Sequence, residues 1–480
     1  KKEKERYIKI MDFTDEVKKS MEELRARQIA DAVKGKLIRG SGDEAATDIC
    51  IDSRNAKSGD LFCAMVGEFN DGHKFMKSAY DNGCRIMLIS KEETAETVPE
   101  DCALILTDDA MYALQELSAW YIARFDMKKL AVTGSVGKTT TRDMIYAILK
   151  KGFNAGTSKA NLNSETGLPI TLLSFDGSMD AVVVEMGMDA LGQISRLTEI
   201  AKPDVAVITN IGYSHLEKLG TRENIFKAKM EIVEGLDESK ILVVNADDDM
   251  LETIDEDKVP YRILRAGKAE NADVRVSAVE NLGYDGIAFD LVCEGKKHHV
   301  KLGIMGEHNA INAALAAAAC KSIGMNFDDI IAGLQDIEMT GSRLRFVEAG
   351  EVNIIDDAYN AAPESMISAL KTLVKSEGKR KLAVLAGMNE LGAVREESHR
   401  RVGREAAKLD LDLMITIGSD ASLIAEEAAS EGMDKNKMLH FDSRDALADV
   451  INDYLKAGDL VLLKASRSYE LEKLIDSINK

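Results

Sequence analysis

The chain has 480 residues, of which 45% are hydrophobic and 30% are charged. This length corresponds to about three domains of roughly 100–200 residues each, and the composition is typical of a globular protein. The 62 basic and 82 acidic residues leave a net charge of −20, which argues against a general nucleic-acid-binding protein. Anionic small substrates are still compatible with this charge, because a local basic pocket is enough to bind them.

The cysteines and the N-terminal segment predict a cytoplasmic protein. Six cysteines, at positions 50, 63, 84, 102, 293 and 320, form no Cys-x-x-Cys pair, so we expect reduced, buried thiols. The segment Lys1–Arg6 is charged and lacks the apolar stretch of a signal peptide. The longest alanine-rich apolar run, Ala313–Cys320, is too short to span a bilayer, so we expect no membrane insertion.

Residues 1–125 are predicted to form a first α/β domain. We expect a helix around Met21–Val33 and a strand at Arg85–Ser90. Ser53 and Arg54 follow a short apolar strand and could bind a phosphate or a uracil. These residues alone favour a simpler interpretation, a turn with a solvent-exposed arginine.

The segment Leu130–Thr141 has the pattern of a strand, a tight loop and a helix. Its glycines allow backbone N–H groups to close around phosphate oxygens, and the helix N-terminus adds partial positive charge. Lys138 adds a full positive charge, and the Thr139 hydroxyl suits a phosphate-bound Mg²⁺. Only two residues separate Gly134 from Gly137, so this is a shortened P-loop and not a chance glycine turn. The predicted nucleotide contacts are Gly134, Ser135, Val136, Gly137, Lys138, Thr139 and Thr140.

Two continuous apolar runs follow, Ala181–Glu185 and Asp204–Asn210. Such β-branched runs are typical of parallel strands that are covered on both faces. Ligands of open parallel sheets bind beyond the carboxyl ends of the strands. We therefore expect Lys138, Glu185 and His215 to lie at one edge of the sheet.

The possible roles of these polar residues differ in how strongly the sequence supports them. Glu185 suits a Mg²⁺ ligand, with a helix-capping carboxylate as the alternative. His215 could bind a second ion or a phosphate, or could be an ordinary surface histidine. Lys229 lies on an amphipathic helix and is predicted from the residues alone to be solvent-exposed.

The rest of the chain completes an α/β protein of three domains. The central domain, residues 126–338, includes a small antiparallel addition at Asp273–Leu302. Asn309 and Asn312 lie near the start of an alanine-rich helix, where amides can cap the helix or bind an adenine edge. Residues 339–480 alternate strands and helices and are predicted to form a Rossmann-like domain.

Taken in chain order, these motifs resemble those of the Mur ligase family of peptidoglycan synthesis, and within it the MurF type. The resemblance covers nearly the whole chain and includes the short P-loop and a substrate loop at Thr157–Pro169. The pair Tyr359-Asn360 resembles the MurF signature, and the Asp-Asn-Pro-Arg motif of the MurE type is missing.

The resemblance implies roles for individual residues. It implies that two Mg²⁺ ions bind Thr139, Glu185, His215 and, if CO₂ converts it to a carbamate, Lys229. The implied catalytic residues are Lys138, Glu185, His215 and Lys229. The implied ATP contacts beyond the P-loop are Asn309, Asn312, Arg343, Asp357, Tyr359 and Asn360. The implied contacts to the UDP-linked substrate are Ser53, Arg54, Thr157, Ser158, Asn161 and Asn163.

The function implied is that of an ATP-dependent ligase, a monomer that joins D-alanyl-D-alanine to UDP-N-acetylmuramoyl-tripeptide. Two positions depart from the family pattern. Ala362 replaces an amide residue, and Ala465 replaces a glycine in the late Lys-Gly-Ser-Arg motif. The alternatives are a MurE-like ligase, a folylpolyglutamate synthase, or a P-loop protein in which ATP gates the binding of a partner.

Overall fold

The computed structural model describes residues 21–67, 70–158, 162–338 and 344–478. Three separate sheets of five, nine and six strands organise these residues, and a two-stranded pair accompanies the first sheet. The α/β class and the three-domain architecture predicted from the sequence are therefore confirmed. The predicted boundaries at 125/126 and 338/339 fall between the sheets and stay predictions.

The first sheet runs in the strand order 36–39, 103–106, 86–89, 60–63 and 48–50, and only its first pair is antiparallel. The helix expected around Met21–Val33 is present but shorter than predicted, because Leu24–Arg25 pairs as a strand with Ala45–Ala46 and only Ala26–Ala32 is helical. The strands are Leu24–Arg25, Lys36–Arg39, Ala45–Ala46, Asp48–Cys50, Asp60–Cys63, Ile86–Ile89 and Ala103–Leu106, and the α-helices are Ala26–Ala32, Met76–Asp81 and Ala110–Ile122.

The central sheet places the P-loop strand in its middle, between the strands that end at Glu185 and Ile208. The three strands of 274–302 extend the same sheet, and their last two pairings are antiparallel as predicted. The strands are Lys128–Thr133, Ala155–Thr157, Ala181–Glu185, Val205–Ile208, Ile241–Asn245, Arg262–Gly267, Val274–Asn281, Ile287–Cys293 and Lys296–Leu302. The α-helices are Lys138–Leu149, Gly167–Leu173, Gln193–Ala201, Leu216–Leu219, Arg222–Met230, His308–Ser322 and Phe327–Gln335.

The parallel strands in the middle of the central sheet are buried on both faces, which explains their continuous apolar runs. Val183 belongs to the core on one face, and Val182 and Val184 belong to the core on the other. The alanine-rich helix His308–Ser322 packs against the helix Lys138–Leu149, because its small side chains allow close approach.

The third sheet has the strand order 345–349, 352–357, 459–464, 380–386, 413–417 and 438–441, and only the first pair is antiparallel. The strands are Arg345–Ala349, Val352–Asp357, Arg380–Ala386, Leu413–Ile417, Met438–Phe441 and Asp459–Lys464, and the α-helices are Pro363–Lys375, Arg395–Ala407, Ser419–Ser430 and Arg444–Ala448.

All six cysteines are buried free thiols, as expected from the sequence. Burial raises the pKa of the Cys84 and Cys102 thiols to about 12, so neither is a reactive thiolate at neutral pH. Within the described residues, no helix combines the length and the apolar character needed to cross a bilayer.

Candidate active site

The loop before the helix Lys138–Leu149 has the backbone of a phosphate-binding loop. Gly134 and Gly137 have φ angles of +146° and +88°, a region that favours glycine. A Cβ on Gly134 would overlap Thr209 Oγ1, and one on Gly137 would lie 2.8 Å from Asn312 Oδ1. The helix starts directly after Gly137, so the N–H groups of its first turn and the positive end of its dipole face the loop.

The end of the neighbouring strand holds this loop in place. The Val136 carbonyl accepts hydrogen bonds from Thr209 Oγ1 at 2.6 Å and from Asn210 Nδ2 at 2.8 Å. Asn210 also accepts from the N–H groups of Ser135 and Val136. These two N–H groups are therefore engaged within the protein, by the strand end that holds the loop. The sequence placed Asn210 at the sheet edge but did not reveal this role.

A cavity of about 670 Å³ opens above the P-loop, between the central sheet and the C-terminal sheet. Lys138, Glu185 and His215 all line it, so the expected convergence at one sheet edge is confirmed. Their individual roles stay predictions. The predicted site residues that line this cavity are Ser135, Val136, Gly137, Lys138, Thr139, Thr140, Asn163, Glu185, His215, Asn309, Asn312, Asp357, Tyr359 and Asn360.

Glu185 ends its strand as a buried carboxylate beside the P-loop. Its Oε2 accepts a hydrogen bond from Thr139 Oγ1 at 2.6 Å, and its Oε1 accepts one from Asn163 Nδ2 at 2.8 Å. The guanidinium of Arg142, a fully buried residue of the P-loop helix, lies 3.7 Å from Oε2. These contacts fix the carboxylate in one orientation at the wall of the cavity.

The donor set around Glu185 fits Mg²⁺. A carboxylate and a threonine hydroxyl are hard oxygen ligands, and Mg²⁺ usually takes only one or two protein carboxylates together with waters and phosphate oxygens. Among the described residues, no group of three or more His, Cys, Asp or Glu side chains could hold a metal by itself. A magnesium ion held by Thr139 and Glu185 would need further oxygen ligands from waters or phosphates.

His215 lies in a left-handed conformation, with φ +64°, at the start of the short helix Leu216–Leu219. Its Nδ1 is 2.6 Å from Oε2 of Glu390, a residue of the C-terminal domain. This contact with His215 holds the pKa of Glu390 below its ordinary value. Glu390 also lines the cavity, and the sequence analysis did not single it out.

Lys229 is not the solvent-exposed lysine that the residues alone predicted. Only 2% of it is exposed. Burial, and then the positive charge of Lys138, hold the pKa of Lys229 well below its usual value. Among the described residues, no carboxylate forms an ion pair with Lys229, and Lys229 is not one of the residues that line the cavity. The helical pattern carried a signal for this burial, because Ile225 is four residues earlier and therefore on the same face.

The C-terminal domain contributes a buried lysine, Lys464, to the cavity. The sequence analysis did not predict it as a site residue. Lys464 Nζ lies 2.7 Å from Asp357 Oδ2 and donates a hydrogen bond to the Asn360 carbonyl at 2.8 Å. Lys464 is 2% exposed and lines the cavity. It is the first residue of the Lys464-Ala-Ser-Arg467 motif, which was the available signal.

The two amides of the alanine-rich helix are buried and bonded to each other. Asn309 Nδ2 donates to the Met305 carbonyl at 2.8 Å, and Asn312 Nδ2 donates to Asn309 Oδ1 at 3.0 Å. The Asn312 amide thus lies against Gly137 of the P-loop. Contact of these amides with an adenine stays a prediction.

The predicted contacts to the UDP-linked substrate lie in different places. Arg54 is exposed and pairs with Asp52, holding the pKa of that carboxyl at about 2, while Ser53 is buried beside it. Thr157 ends the outermost strand of the central sheet, and the buried Ser158 accepts a hydrogen bond from the Glu185 N–H. Two further predicted site residues lie outside the described residues. They are Asn161, a predicted contact to the UDP-linked substrate, and Arg343, a predicted ATP contact.

The structure explains how the two departures from the family pattern are accommodated. Ala465 is buried and does not adopt a positive φ, so its methyl group causes no backbone strain. Ala362 precedes the helix Pro363–Lys375 and provides no side-chain cap, but its N–H donates to Ser365 Oγ at 2.9 Å.

A glycine loop at the start of a helix, on the central strand of a parallel sheet, defines a P-loop nucleotide-binding protein. Three family models match successive parts of the chain: "Mur ligase family, catalytic domain" at residues 46–121, "Mur ligase middle domain" at 132–320, and "Mur ligase, glutamate ligase domain" at 342–467. The chain belongs to the Mur ligase family.

Individual relatives are similar to this chain along almost its full length. The chain is 34% identical to the UDP-N-acetylmuramoyl-tripeptide–D-alanyl-D-alanine ligase of Bacillus subtilis, over 94% of this chain and 97% of that protein. A crystal structure of MurF from Acinetobacter baumannii superposes with a TM-score of 0.87 at 30% identity, covering 96% of this chain and 100% of the other. MurF ligase from Thermotoga maritima in complex with ADP gives a TM-score of 0.78 at 29% identity, covering 90% and 96%.

Proposed function

We propose that the chain is an ATP-dependent, ADP-forming ligase that joins D-alanyl-D-alanine to UDP-N-acetylmuramoyl-tripeptide. The product is the UDP-linked pentapeptide precursor of peptidoglycan. The observation that carries this proposal is that residues of two domains line the same cavity. Lys138, Glu185 and His215 come from the central domain, and Asp357 and Lys464 come from the C-terminal domain. The near full-length similarity to ligases of this name supports the choice of substrates.

In the first step, an oxygen of the tripeptide's terminal carboxylate attacks the γ-phosphorus of ATP. An acyl phosphate forms and ADP leaves. The obstacle is repulsion between anions, since two unit charges 4 Å apart interact by about 4 kcal/mol at an effective dielectric constant of about 20. Lys138, held beside the Gly134 and Ser135 carbonyls at 2.8 and 3.4 Å, lies where it can offset this charge.

Magnesium would supply further positive charge at the phosphates. Thr139 and Glu185 are the residues that would hold one ion, and their fixed hydrogen bond keeps both oxygens at the cavity wall. We infer a second ion near His215 and a carbamylated Lys229. Burial lowers the pKa of Lys229 and so favours its neutral amine, which is the form that adds CO₂ with loss of a proton; the resulting carbamate would provide oxygen ligands.

In the second step, the free amine of D-alanyl-D-alanine attacks the carbonyl carbon of the acyl phosphate. A C–N bond forms, a tetrahedral intermediate follows, and its C–O bond to phosphate breaks as the amine loses a proton. The protein contributes mainly by positioning, because sites on different domains must hold the two substrates together.

Substrate binding is assigned by residue position. The ATP contacts proposed are the P-loop residues together with Asn309, Asn312, Arg343, Asp357, Tyr359 and Asn360. The contacts proposed for the UDP-linked substrate are Ser53, Arg54, Thr157, Ser158, Asn161 and Asn163. A reaction that consumes ATP and a nucleotide-linked sugar takes place in the cytoplasm, and we propose that location and a monomeric state.

Phosphate release with each substrate omitted in turn tests the proposed function. We expect release only when ATP, the UDP-linked tripeptide and D-alanyl-D-alanine are all present. Phosphate release when both peptide substrates are absent would instead support a P-loop protein that uses ATP to gate a partner. Thermal stabilisation by a folate and not by the UDP-linked peptide would support a folylpolyglutamate synthase.

A further inference from the structure

One loop of the C-terminal domain reaches across the cavity and touches the central domain. This loop, residues 387–392, follows the strand Arg380–Ala386. The carbonyl of Glu390 accepts a hydrogen bond from the Glu217 N–H at 3.2 Å, and its side chain lies 2.6 Å from His215 Nδ1. Both the backbone and the side chain of Glu390 therefore contact the segment that carries His215.

The loop is held from its own domain as well. The Met388 N–H donates to His399 Nε2 at 3.0 Å, and the Asn389 N–H donates to Ser466 Oγ at 2.9 Å. Leu391 is 2% exposed. Glu390 adopts a φ of +62°, a conformation that few non-glycine residues adopt and that surrounding contacts must hold. The fold of the C-terminal domain thus fixes the backbone of Glu390, and the exposed side chain extends from there to His215.

The approach of the two domains is close at this point. Gly392 has a φ of +52°, and a Cβ there would lie 2.7 Å from the Cα of Glu217. A larger residue would push the loop away from the central domain. The glycine therefore allows the close contact that brings Glu390 to His215.

The His215 ring lies against the C-terminal domain through one of its two nitrogens. Nδ1 is the ring nitrogen closest to the Glu390 carboxylate, 2.6 Å from Oε2. Both residues line the cavity that contains the P-loop. A histidine that binds a metal or a phosphate commonly offers one nitrogen to the ligand while a carboxylate orients the ring through the other.

We propose that Glu390 is a positioning residue that acts through His215. The C-terminal domain supplies the carboxylate that fixes the His215 ring with Nε2 available to the bound nucleotide or its metal. The catalytic cavity is then complete only when the loop 387–392 rests on the central domain. This inference rests on the proposed function and deepens it, because it makes the domain contact a part of the site.

The chain contains a matched control for this proposal. Glu307 of the central domain and Lys375 of the C-terminal domain form an ion pair of 2.6 Å, the same separation as between His215 and Glu390. The substitution Lys375→Gln removes an interdomain ion pair without touching His215. An effect confined to Glu390 therefore cannot come from a general loosening of the two domains.

The first measurement is made on the full chain without substrates. In protein labelled with ¹⁵N-histidine, the ring nitrogens of His215 are assigned by the signals lost in His215→Gln. We expect an Nδ1-protonated ring in the wild type and in Lys375→Gln, and a mixture of tautomers in Glu390→Ala. Glu390→Gln retains an acceptor oxygen, so it should keep most of the Nδ1-protonated form.

The second measurement separates kcat from KM. We expect Glu390→Ala to lower kcat by about 10- to 100-fold, the usual effect of removing a carboxylate that orients a ligating histidine, with KM for the UDP-linked tripeptide changed less than about twofold. Glu390→Gln should recover part of kcat, and Lys375→Gln should match the wild type.

Several outcomes would overturn the proposal. An Nε2-protonated wild-type ring, or unchanged tautomers and kcat in Glu390→Ala, would show that Glu390 does not orient His215. An equal loss of kcat in Lys375→Gln would assign the effect to domain docking alone. If the wild type failed the substrate-omission test, the proposed function would be wrong, while the tautomer measurement would still decide whether Glu390 orients the ring.

Discussion

At the scale of single residues, the surroundings of Lys229 are poorly suited to a charged ammonium. It is buried, and its pKa is lowered by that burial and by Lys138. If Lys229 carries a carbamate, Lys229→Ala should lose most activity, and formate, acetate or propionate should restore part of it by supplying a carboxylate. Initial rates at increasing acid concentration measure this rescue.

Lys227 provides the control for this prediction, because it lies on the same helix and is exposed. Lys227→Ala should retain activity and show no response to the acids. Absence of rescue in Lys229→Ala, together with no bound carbamate signal in ¹³C-bicarbonate-labelled wild type, would rule out the modification.

The position of a residue was predictable from the sequence where a local sequence pattern determines it. Glu185 follows an uninterrupted apolar run, so its place at the strand end required only the rule for parallel strands. The contact of Glu390 with His215 joins residues 175 positions apart in sequence on two domains. No local pattern encodes such a contact, because it depends on how the two sheets are placed relative to each other.

At the scale of elements, the helix Ala110–Ile122 links the first domain to the central one. Tyr121 within it accepts a hydrogen bond from the Glu22 N–H and donates one to the Phe175 carbonyl, both at 2.8 Å. The N-cap of this helix is Asp109. Its Oδ1 accepts hydrogen bonds from the N–H groups of Met111 at 2.7 Å and Tyr112 at 2.9 Å. This cap satisfies two donors that the helix itself cannot satisfy.

Asp109→Ala should therefore lower the free energy of unfolding by about 0.5–2 kcal/mol, the usual cost of losing an N-cap. Urea denaturation followed by circular dichroism measures the change. The neighbouring exposed Asp108 provides no cap, so Asp108→Ala should leave the midpoint nearly unchanged. Equal midpoints for the two variants would contradict the assigned capping role.

The elements also show where sequence patterns are insufficient. The continuous runs of the central sheet were interpreted correctly, because burial on both faces removes the polar alternation of an exposed strand. The helix expected at Met21–Val33 was too long, because Leu24–Arg25 pairs with Ala45–Ala46. That pairing is long-range and outweighs the local helical preference of the segment.

At the scale of the whole molecule, His308 joins the central and C-terminal domains. Its Nδ1 lies 2.7 Å from Ser368 Oγ, on the helix Pro363–Lys375. Desolvation lowers the pKa of His308 to about 4, and the charge of Lys464 acts in the same direction while Asp357 opposes it. His308 is therefore neutral in the folded protein at neutral pH.

This lowered pKa predicts a loss of stability in acid. Between about pH 6.5 and pH 4 the unfolded chain binds a proton at this position and the folded protein does not, so stability falls as the pH is lowered through this range. The unfolding free energy lost at this position by about pH 4 is at most about 3.4 kcal/mol. His308→Gln should reduce the pH dependence of the unfolding free energy in this window, measured by urea denaturation at each pH. Parallel curves for wild type and variant would contradict the prediction.

The central claim is that the peptide carboxylate becomes an acyl phosphate in the cavity between the central and C-terminal domains. The most direct test uses UDP-linked tripeptide with ¹⁸O in both oxygens of its terminal carboxylate, and mass spectrometry of the released phosphate. An acyl phosphate transfers one carboxylate oxygen, so each phosphate should contain one ¹⁸O. Phosphate without ¹⁸O, released as the peptide bond forms, would contradict this mechanism.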